Sequence, residues 1–231
     1  KILSSKKNLE ERLKGSQVGG IVGTNAGAAI VGCNTEKESN SKEGYIFGEE
    51  YVGGIVGYNE PGADGTSKVI GGDGAKKGVN AAHVIGKRRV GGIIGANPAD
   101  GTISGWLNRG FVAAQEAYAG GIAGIAAGNI TDCWNKGAVI AQQEGNAGGI
   151  VANNNYEIRN CRNYGSVTAQ NGICGGISGV NASTIASCQV TAQGGLGYLV
   201  FESKEKAGGV CGINEGTIDS TDVSYIQLYN L

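Results

Sequence analysis

The sequence contains no methionine, one histidine and two prolines, and charged side chains make up only 17% of its 231 residues. So few prolines exclude collagen-like segments and proline-rich linkers. The net charge of −1 argues against a general binder of nucleic acids or anionic membranes. No apolar run reaches the roughly 18 residues that a membrane-spanning helix needs. Glycine, by contrast, is abundant at 44 residues, and the hydrophobic content of 40% is sufficient for a core.

The glycines belong to a repeat. A Gly-Gly pair followed by isoleucine or valine occurs seven times, with the second glycine at Gly20, Gly54, Gly92, Gly121, Gly149, Gly176 and Gly209. The steps between these glycines are 34, 38, 29, 28, 27 and 33 residues. A near-constant period with occasional longer steps predicts a solenoid, in which each repeat forms one coil.

Aligned on the second glycine, the repeats share three further positions. A β-branched residue follows at once: Ile21, Ile55, Ile93, Ile122, Ile150, Ile177 and Val210. Asparagine stands five residues after the glycine in six repeats: Asn25, Asn59, Asn97, Asn154, Asn181 and Asn214. Cysteine stands twelve residues after it in three: Cys133, Cys161 and Cys188. The β-branched column predicts a continuous core, and the asparagines predict a ladder of stacked carboxamides. We expect the glycines to adopt positive φ at corners or to allow close backbone approach.

The repeats lack the i, i+3, i+4 apolar spacing of a helix, and their short β-branched runs between glycine and asparagine indicate strands and tight turns. We therefore expect an all-β parallel β-helix (β-solenoid) of about seven rungs, right-handed because parallel crossovers nearly always are. The solenoid would span residues 18–223, with loop inserts near 34–50, 61–90 and 193–206. Residues 1–17 would form a short helical cap, and 224–231 a C-terminal strand or the start of a further rung.

The repeat resembles the GLUG motif. Two segments match it best, 209–218 (Gly-Val-Cys-Gly-Ile-Asn-Glu-Gly-Thr-Ile) and 120–130 (Gly-Gly-Ile-Ala-Gly-Ile-Ala-Ala-Gly-Asn-Ile). GLUG repeats occur in bacterial cell-surface and secreted proteins, including the non-catalytic parts of immunoglobulin-A-cleaving zinc metalloproteases. The resemblance implies a non-catalytic repeat domain of such a protein, acting as a rigid spacer or an adhesin-like binding module. The protease signature His-Glu-x-x-His is absent from the sequence, so no protease activity is carried over.

Six cysteines in a chain of this length are far fewer than a disulfide scaffold contains. The three that share a column are expected to be small buried side chains with free thiols. No Cys-x-x-Cys pair occurs, and the only histidine, His83, lies in a predicted insert. We therefore expect neither a zinc site nor a cofactor.

One column predicted to face outwards combines aromatic and charged side chains: Leu107, Trp134, Arg162 and Gln189. Trp134 beside Arg162 could form a cation–π pair. Tyr156 and Tyr164 are close in the repeat and could extend the pair into an aromatic strip for a sugar ring. The alternative is that Trp134 packs against Arg162 or under a loop for stability alone.

A second candidate for ligand binding is the basic run Lys87, Arg88 and Arg89 in the second predicted insert. Charged loops on a rigid scaffold are frequent sites of function. The first predicted insert is acidic, however, so the two inserts could instead simply face each other. The partners we expect are a host glycan or an extracellular protein, together with other domains of the same polypeptide, and neither nucleic acid nor a membrane interior.

An enzyme is the main alternative, because parallel β-helices also host enzymes that cleave polysaccharides with two converging carboxylates. The regular columns of rungs four to seven bring no two carboxylates together: Asp132, for example, stacks with Asn160, Ser187 and Ser220. We therefore expect no catalysis by this segment. The other interpretations left open are a carbohydrate-binding or carbohydrate-cleaving β-helix and an accessory domain of a surface protease. In each case the expected location is the bacterial surface or the extracellular space, and the segment is expected to be excised from a larger polypeptide.

Overall fold

The computed structural model describes residues 13–35, 44–61, 67–72, 77–98, 101–192 and 199–230. Within these ranges, 35 short strands follow one another and no helix occurs. The chain visits five sheets in the same order seven times, and every recorded strand pairing is parallel. The described residues therefore form a β-solenoid of seven rungs, as the glycine repeat predicts.

The first four rungs have the following strands. Rung one contains β1 (Ser16–Gly19), β2 (Val22–Ala26), β3 (Ala29–Val31), β4 (Asn34–Thr35) and β5 (Tyr45–Phe47). Rung two contains β6 (Glu50–Gly53), β7 (Val56–Glu60), β8 (Ser67–Ile70), β9 (Gly78–Asn80) and β10 (His83–Gly86). Rung three contains β11 (Arg88–Gly91), β12 (Ile94–Asn97), β13 (Gly101–Ser104), β14 (Trp106–Asn108) and β15 (Val112–Ala114). Rung four contains β16 (Ala119–Gly120), β17 (Ala123–Ala126), β18 (Ile130–Thr131), β19 (Trp134–Asn135) and β20 (Val139–Ala141).

The last three rungs repeat this pattern. Rung five contains β21 (Ala147–Gly148), β22 (Val151–Asn154), β23 (Ile158–Arg159), β24 (Arg162–Asn163) and β25 (Val167–Ala169). Rung six contains β26 (Ile173–Gly175), β27 (Ser178–Asn181), β28 (Thr184–Ala186), β29 (Gln189–Val190) and β30 (Leu199–Ser203). Rung seven contains β31 (Lys206–Gly208), β32 (Cys211–Asn214), β33 (Thr217–Asp219), β34 (Asp222–Val223) and β35 (Ile226–Asn230).

Each sheet collects one strand from every rung. We name the sheets A to E in chain order, so that sheet A runs from β1 to β31, sheet B from β2 to β32, sheet C from β3 to β33, sheet D from β4 to β34 and sheet E from β5 to β35. The register places equivalent residues side by side, as with Ile130, Ile158 and Ile185 in sheet C. A side chain in one rung therefore has its counterpart in the next rung as its nearest neighbour along the solenoid axis.

The β-branched column forms the predicted core. Ile55, Ile93, Ile122, Ile150 and Ile177 are all fully buried. A single rung has nothing to cover such residues, whereas a stack buries each one between its two neighbours. No described rung precedes the first one, and Ile21 in that rung is 46% exposed.

Stacked asparagines form two ladders. In sheet B each carboxamide nitrogen donates to the carboxamide oxygen of the next rung: Asn25 to Asn59 (2.8 Å), Asn59 to Asn97 (2.7 Å), Asn154 to Asn181 (2.7 Å) and Asn181 to Asn214 (2.8 Å). In sheet D the same bonds join Asn80 to Asn108 (2.8 Å), Asn108 to Asn135 (2.9 Å) and Asn135 to Asn163 (2.9 Å). The ladder predicted in sheet B is confirmed, with its gap where Ala126 replaces asparagine. Because these amides are buried, each bond also satisfies groups that would otherwise be costly to desolvate.

The Gly-Gly pairs allow neighbouring groups to approach the backbone closely. A Cβ built on Gly121 would overlap the carboxamide of Asn135, and one on Gly149 would overlap Asn163. Neither glycine has a positive φ. Of the two expectations for these glycines, close approach is therefore the correct one, since the missing side chain makes room for the sheet D ladder.

Rung three fills the cysteine column with a large aromatic side chain. This side chain is Trp106, which pairs in register with Gly78 and is fully buried. Gly71 and Gly78 leave the space that the indole fills. The indole nitrogen donates to the carbonyl oxygen of Val69 at 3.1 Å.

Two sequence-based expectations differ from the structure. The helical cap over 1–17 is not supported: residues 1–12 lie outside the described residues, and Ser16–Gly19 form β1, which pairs with β6. A helix of so few residues gains little by itself, whereas sheet pairing satisfies the backbone of this segment. The segment 61–90, predicted as a loop insert, contains the regular strands β8, β9, β10 and part of sheet A. Likewise β5 lies within 34–50 and β30 within 193–206, while residues 36–43 and 193–198 are not described.

Candidate binding site

The outer face of sheet D carries the predicted aromatic and cationic column. Its register pairs Leu107 with Trp134, Trp134 with Arg162, and Arg162 with Gln189, as predicted. Side chains alternate along a strand. The asparagines of the sheet D ladder point inwards, so Trp134 and Arg162 point outwards from β19 and β24.

Trp134 and Arg162 form the predicted cation–π pair, with the guanidinium carbon 5.2 Å from the centroid of the indole ring. Tyr164 meets the indole edge-on at a centroid distance of 6.4 Å. Lys136 lies over the ring of Tyr164, with its Nζ 5.8 Å from the centroid. Each of the two rings therefore contacts the cation of the neighbouring rung, Trp134 that of Arg162 and Tyr164 that of Lys136.

A third cation reaches this group from rung two. The Nζ of Lys77 lies 4.6 Å from the centroid of Trp134 and donates to the carbonyl oxygen of Asp132. Lys77 precedes Gly78, whose register partner is Trp106, so the position beside Lys77 in rung three is Gly105. Because Gly105 has no side chain, the lysine crosses that rung unobstructed. We call Trp134, Tyr164, Lys77, Lys136 and Arg162 the cation–aromatic cluster.

The cation–aromatic cluster contains three cations and no carboxylate among its five members. None of the ion pairs recorded for the described residues involves Lys77, Lys136 or Arg162. The carboxylate of Asp132, beside the cluster, accepts a hydrogen bond from the carboxamide of Asn160. The cluster therefore presents three positive charges held on two aromatic rings, an arrangement suited to an anion.

The basic run in β11 is arranged differently. Lys87 pairs with Glu49 at 3.2 Å, and Arg88 pairs with Glu116 at 3.1 Å and with Glu50 at 3.6 Å. Arg89 pairs with Glu50 and also lies over the ring of Tyr51, at 5.1 Å from its centroid. The ion pairs fit the alternative in which the basic run faces the acidic segment, and each of its three cations has a glutamate partner.

Tyr156 is separate from the cluster. It is 45% exposed and lies at the turn between β22 of sheet B and β23 of sheet C. None of the ring contacts recorded for the described residues joins it to Trp134 or Tyr164. The predicted aromatic strip is therefore limited to two rings.

Sequence reasoning missed two members of the cluster. Lys136 follows the asparagine of its rung as Tyr164 does in the next, so the repeat alignment contained the signal for it. The repeat alignment contains no such signal for Lys77, because its segment is predicted to be an insert. Its contact with Trp134 also crosses a whole rung, which the alignment does not predict.

The cysteines are buried or half-buried and all six carry free thiols. Burial raises the pKa of the Cys161 thiol well above its ordinary value and that of Cys174 to about 12. Hydrogen bonding with the neighbouring Cys161 side chain is the main cause that lowers the pKa of Cys188. Within the described residues, no group of three or more histidine, cysteine, aspartate or glutamate side chains could hold a metal ion. The Nδ1 of His83 accepts a hydrogen bond from the Phe111 amide at 2.9 Å.

The fold places the chain among parallel β-solenoid repeat proteins. No family model matches it, and a search of curated proteins gives no match. Among solved structures, the crystal structure of a putative immunoglobulin A1 protease from Bacteroides ovatus matches with a TM-score of 0.56 and 18% identity. The match covers 84% of this chain and 68% of that chain, and at this identity it shows a shared fold alone. None of the described segments is a helix long and apolar enough to cross a membrane.

Proposed function

We propose that the chain is a non-catalytic repeat domain of a bacterial surface or secreted protein, which holds a ligand-binding surface on a rigid rod. The observation that carries the proposal is the cation–aromatic cluster on sheet D. None of the ion pairs recorded for the described residues involves its three cations, Lys77, Lys136 and Arg162. Lys87, Arg88 and Arg89, by contrast, all pair with glutamates.

The rod itself supports the role of a spacer. Seven rungs at about 4.8 Å each give a length of roughly 34 Å. In-register strands in all five sheets and two buried amide ladders hold each rung to the next. A ligand site on such a scaffold is held at a fixed distance and orientation relative to whatever precedes or follows it.

A second candidate function is that of an accessory domain in a surface protease. It is favoured by the likeness to the Bacteroides ovatus structure, whose name gives it as an immunoglobulin A1 protease, and by the GLUG resemblance. In that case the catalytic zinc site would lie in another part of the polypeptide. The cation–aromatic cluster would then recruit or orient the substrate.

A carbohydrate-cleaving role receives less support. Such an enzyme needs one carboxyl group as acid and another as base or nucleophile. Glu49, Glu50, Glu116 and Glu157, by contrast, all engage cations. A carbohydrate-binding role without cleavage is compatible with the cluster.

The experiment that tests the proposed function is a screen of the purified segment on an array of glycans and host extracellular proteins. The wild type is compared with Trp134→Ala and with Tyr156→Ala as a matched control, since Tyr156 is an exposed aromatic outside the cluster. We expect saturable binding that Trp134→Ala removes and Tyr156→Ala retains. Binding that neither substitution weakens would place the site elsewhere, and a wild type that binds nothing would leave only the spacer role.

A further inference from the structure

The two basic groups on the surface differ in one respect that bears on ligand chemistry. In β11 and the residue before it, every cation contacts a glutamate, whereas in the cation–aromatic cluster none does among the described residues. An anion approaching β11 would have to displace Glu49, Glu50 and Glu116. An anion approaching the cluster would not displace a described carboxylate, so the cluster is the favoured anion site.

The rings in the cluster are not open platforms for a neutral sugar. The indole of Trp134 has Lys77 at 4.6 Å and Arg162 at 5.2 Å from its centroid, and Tyr164 has Lys136 at 5.8 Å. A neutral pyranose that stacked on a ring face covered by a cation would displace that cation and lose the cation–π contact. A ligand that carries its own negative charge can instead pair with the cations where they are.

The cations are also spread along the solenoid axis. Lys77 passes over Gly105 of rung three on its way to Trp134, Lys136 extends from rung four and Arg162 from rung five. Successive rungs are about 4.8 Å apart. The ammonium group of Lys77 therefore lies at rung four, beside Trp134 and the carbonyl oxygen of Asp132, and the positive charge extends over rungs four and five rather than being a single point.

This spacing discriminates between linear acidic ligands. In an extended peptide, side chains on one face recur every two residues, roughly 6.6–6.8 Å, and so fall out of step with the rungs. A linked pyranose unit is close to one rung spacing in length. A chain of such units that bears carboxylate or sulfate groups could therefore meet a cation at each successive rung.

We propose that the cation–aromatic cluster binds a linear acidic polysaccharide, whose carboxylate or sulfate groups lie along the solenoid axis across rungs four and five. The proposal rests on the proposed function, since it names the ligand class of the same surface. It excludes neutral glycans as the preferred ligand. It also predicts weakening of binding by salt, because the groups that carry it are solvent-accessible charges.

The test is a titration followed by tryptophan fluorescence and calorimetry at constant ionic strength. The probes are a polyuronate oligosaccharide, a sulfated oligosaccharide of the same length, neutral dextran and a poly-glutamate peptide. Wild type is compared with K136Q/R162Q and with K87Q/R88Q, a control that removes the same two charges from the ion-paired group. Circular dichroism confirms that both double variants are folded.

We expect tight binding of at least one acidic oligosaccharide, about tenfold or more weaker in K136Q/R162Q and nearly unchanged in K87Q/R88Q. The polyuronate and sulfated arms then identify the anionic group. Equal losses in both double variants, or equal affinity for dextran or poly-glutamate, would overturn the proposal. If neither acidic oligosaccharide binds while the array finds another ligand, the proposal fails and the proposed function stands. If nothing binds in either experiment, both fail.

Discussion

Arg162 occupies the register position of Trp134 one rung further along sheet D, and its guanidinium carbon lies 5.2 Å from the indole centroid. Parallel pairing of β19 with β24 fixes both backbones, so the contact requires only the ordering of the two side chains. An exposed cation–π pair contributes about 0.5–1 kcal/mol. The pair by itself therefore contributes little to the stability of the fold.

The first prediction separates binding from stability at this position. Trp134→Leu should lower the free energy of unfolding by only about 1–2 kcal/mol, because it removes two exposed cation–π contacts, from Lys77 and Arg162. Leu107 already occupies the same register position in rung three. Urea unfolding measures the difference. A loss of more than about 3 kcal/mol would show that Trp134 is part of the core.

The second prediction concerns the sheet D ladder. Asn135 accepts from Asn108, donates to Asn163 and also bonds with the backbone of Gly137. Asn135→Ala should destabilise the fold by about 2–4 kcal/mol, because buried partners lose their hydrogen bonds. Asn155→Ala, at an exposed position, is the matched control and should change stability by less than about 0.5 kcal/mol. Similar unfolding midpoints for the two variants would contradict the structural role of the ladder.

The third prediction concerns the Gly-Gly corner. Gly121→Ala should lower the melting temperature by more than about 6 °C, or prevent folding, because the new methyl group overlaps the Asn135 carboxamide. Gly44→Ala is the control, since a Cβ there would meet only Ala82 at an ordinary 3.6 Å. Differential scanning calorimetry compares the two variants. Equal melting temperatures for the Gly121→Ala and Gly44→Ala proteins would contradict close packing at this corner.

The fourth prediction concerns alkaline stability. Burial is the main cause that raises the pKa of Cys174 to about 12, whereas an unfolded thiol ionises near pH 8.5. Its contribution to stability is therefore complete below about pH 8.5 and is lost as the pH rises towards 12, by at most about 1.4 kcal/mol per pH unit. Cys174→Ala removes the thiol and leaves the side chain that its register partner Ala147 already has, so this variant should lose less stability than wild type above pH 9. Urea midpoints from pH 7 to 10.5 measure this, and a constant difference between the two proteins would contradict it.

The repeat predicted most of the scaffold because each column serves a single purpose. Six asparagines at one spacing from a glycine indicate stacked amides, and four direct bonds between them are present. The gap at Ala126 was visible in the sequence as well. Periodicity succeeds here because rung-to-rung contacts join identical positions, so one alignment predicts both the neighbour and the bond.

Rung two was harder to predict from the sequence. Its strands β8 and β9 are separated from one another and from β7 by more residues than the equivalent strands of rungs four and five, which hides the spacing of Asn80 from Gly54. The pairing of β9 with β14 is what places Asn80 beside Asn108. Backbone pairing with a regular neighbour thus sets the register of a rung whose own sequence is irregular.

The candidate site likewise contains contacts that the repeat predicts and contacts that only the structure shows. Trp134 and Arg162 share a column and were predicted together, whereas Lys77 reaches Trp134 from two rungs away over Gly105. The pairing of Arg88 and Arg89 with Glu50 depends on the contact between β6 and β11. Sequence patterns located the basic residues, but only the structure separates the neutralised group from the one that remains charged.

The most direct test of the anion site is to measure the sign of the charge around Trp134. Quenching of tryptophan fluorescence by iodide is compared with quenching by caesium at constant ionic strength. Trp106, the other tryptophan, is fully buried and inaccessible to either ion. We expect iodide to quench Trp134 several times more strongly than caesium, since unpaired cations concentrate anions there, and Trp134→Leu to abolish the difference. Equal quenching by the two ions would show that the cluster carries no net positive charge, and would contradict the proposed anion site.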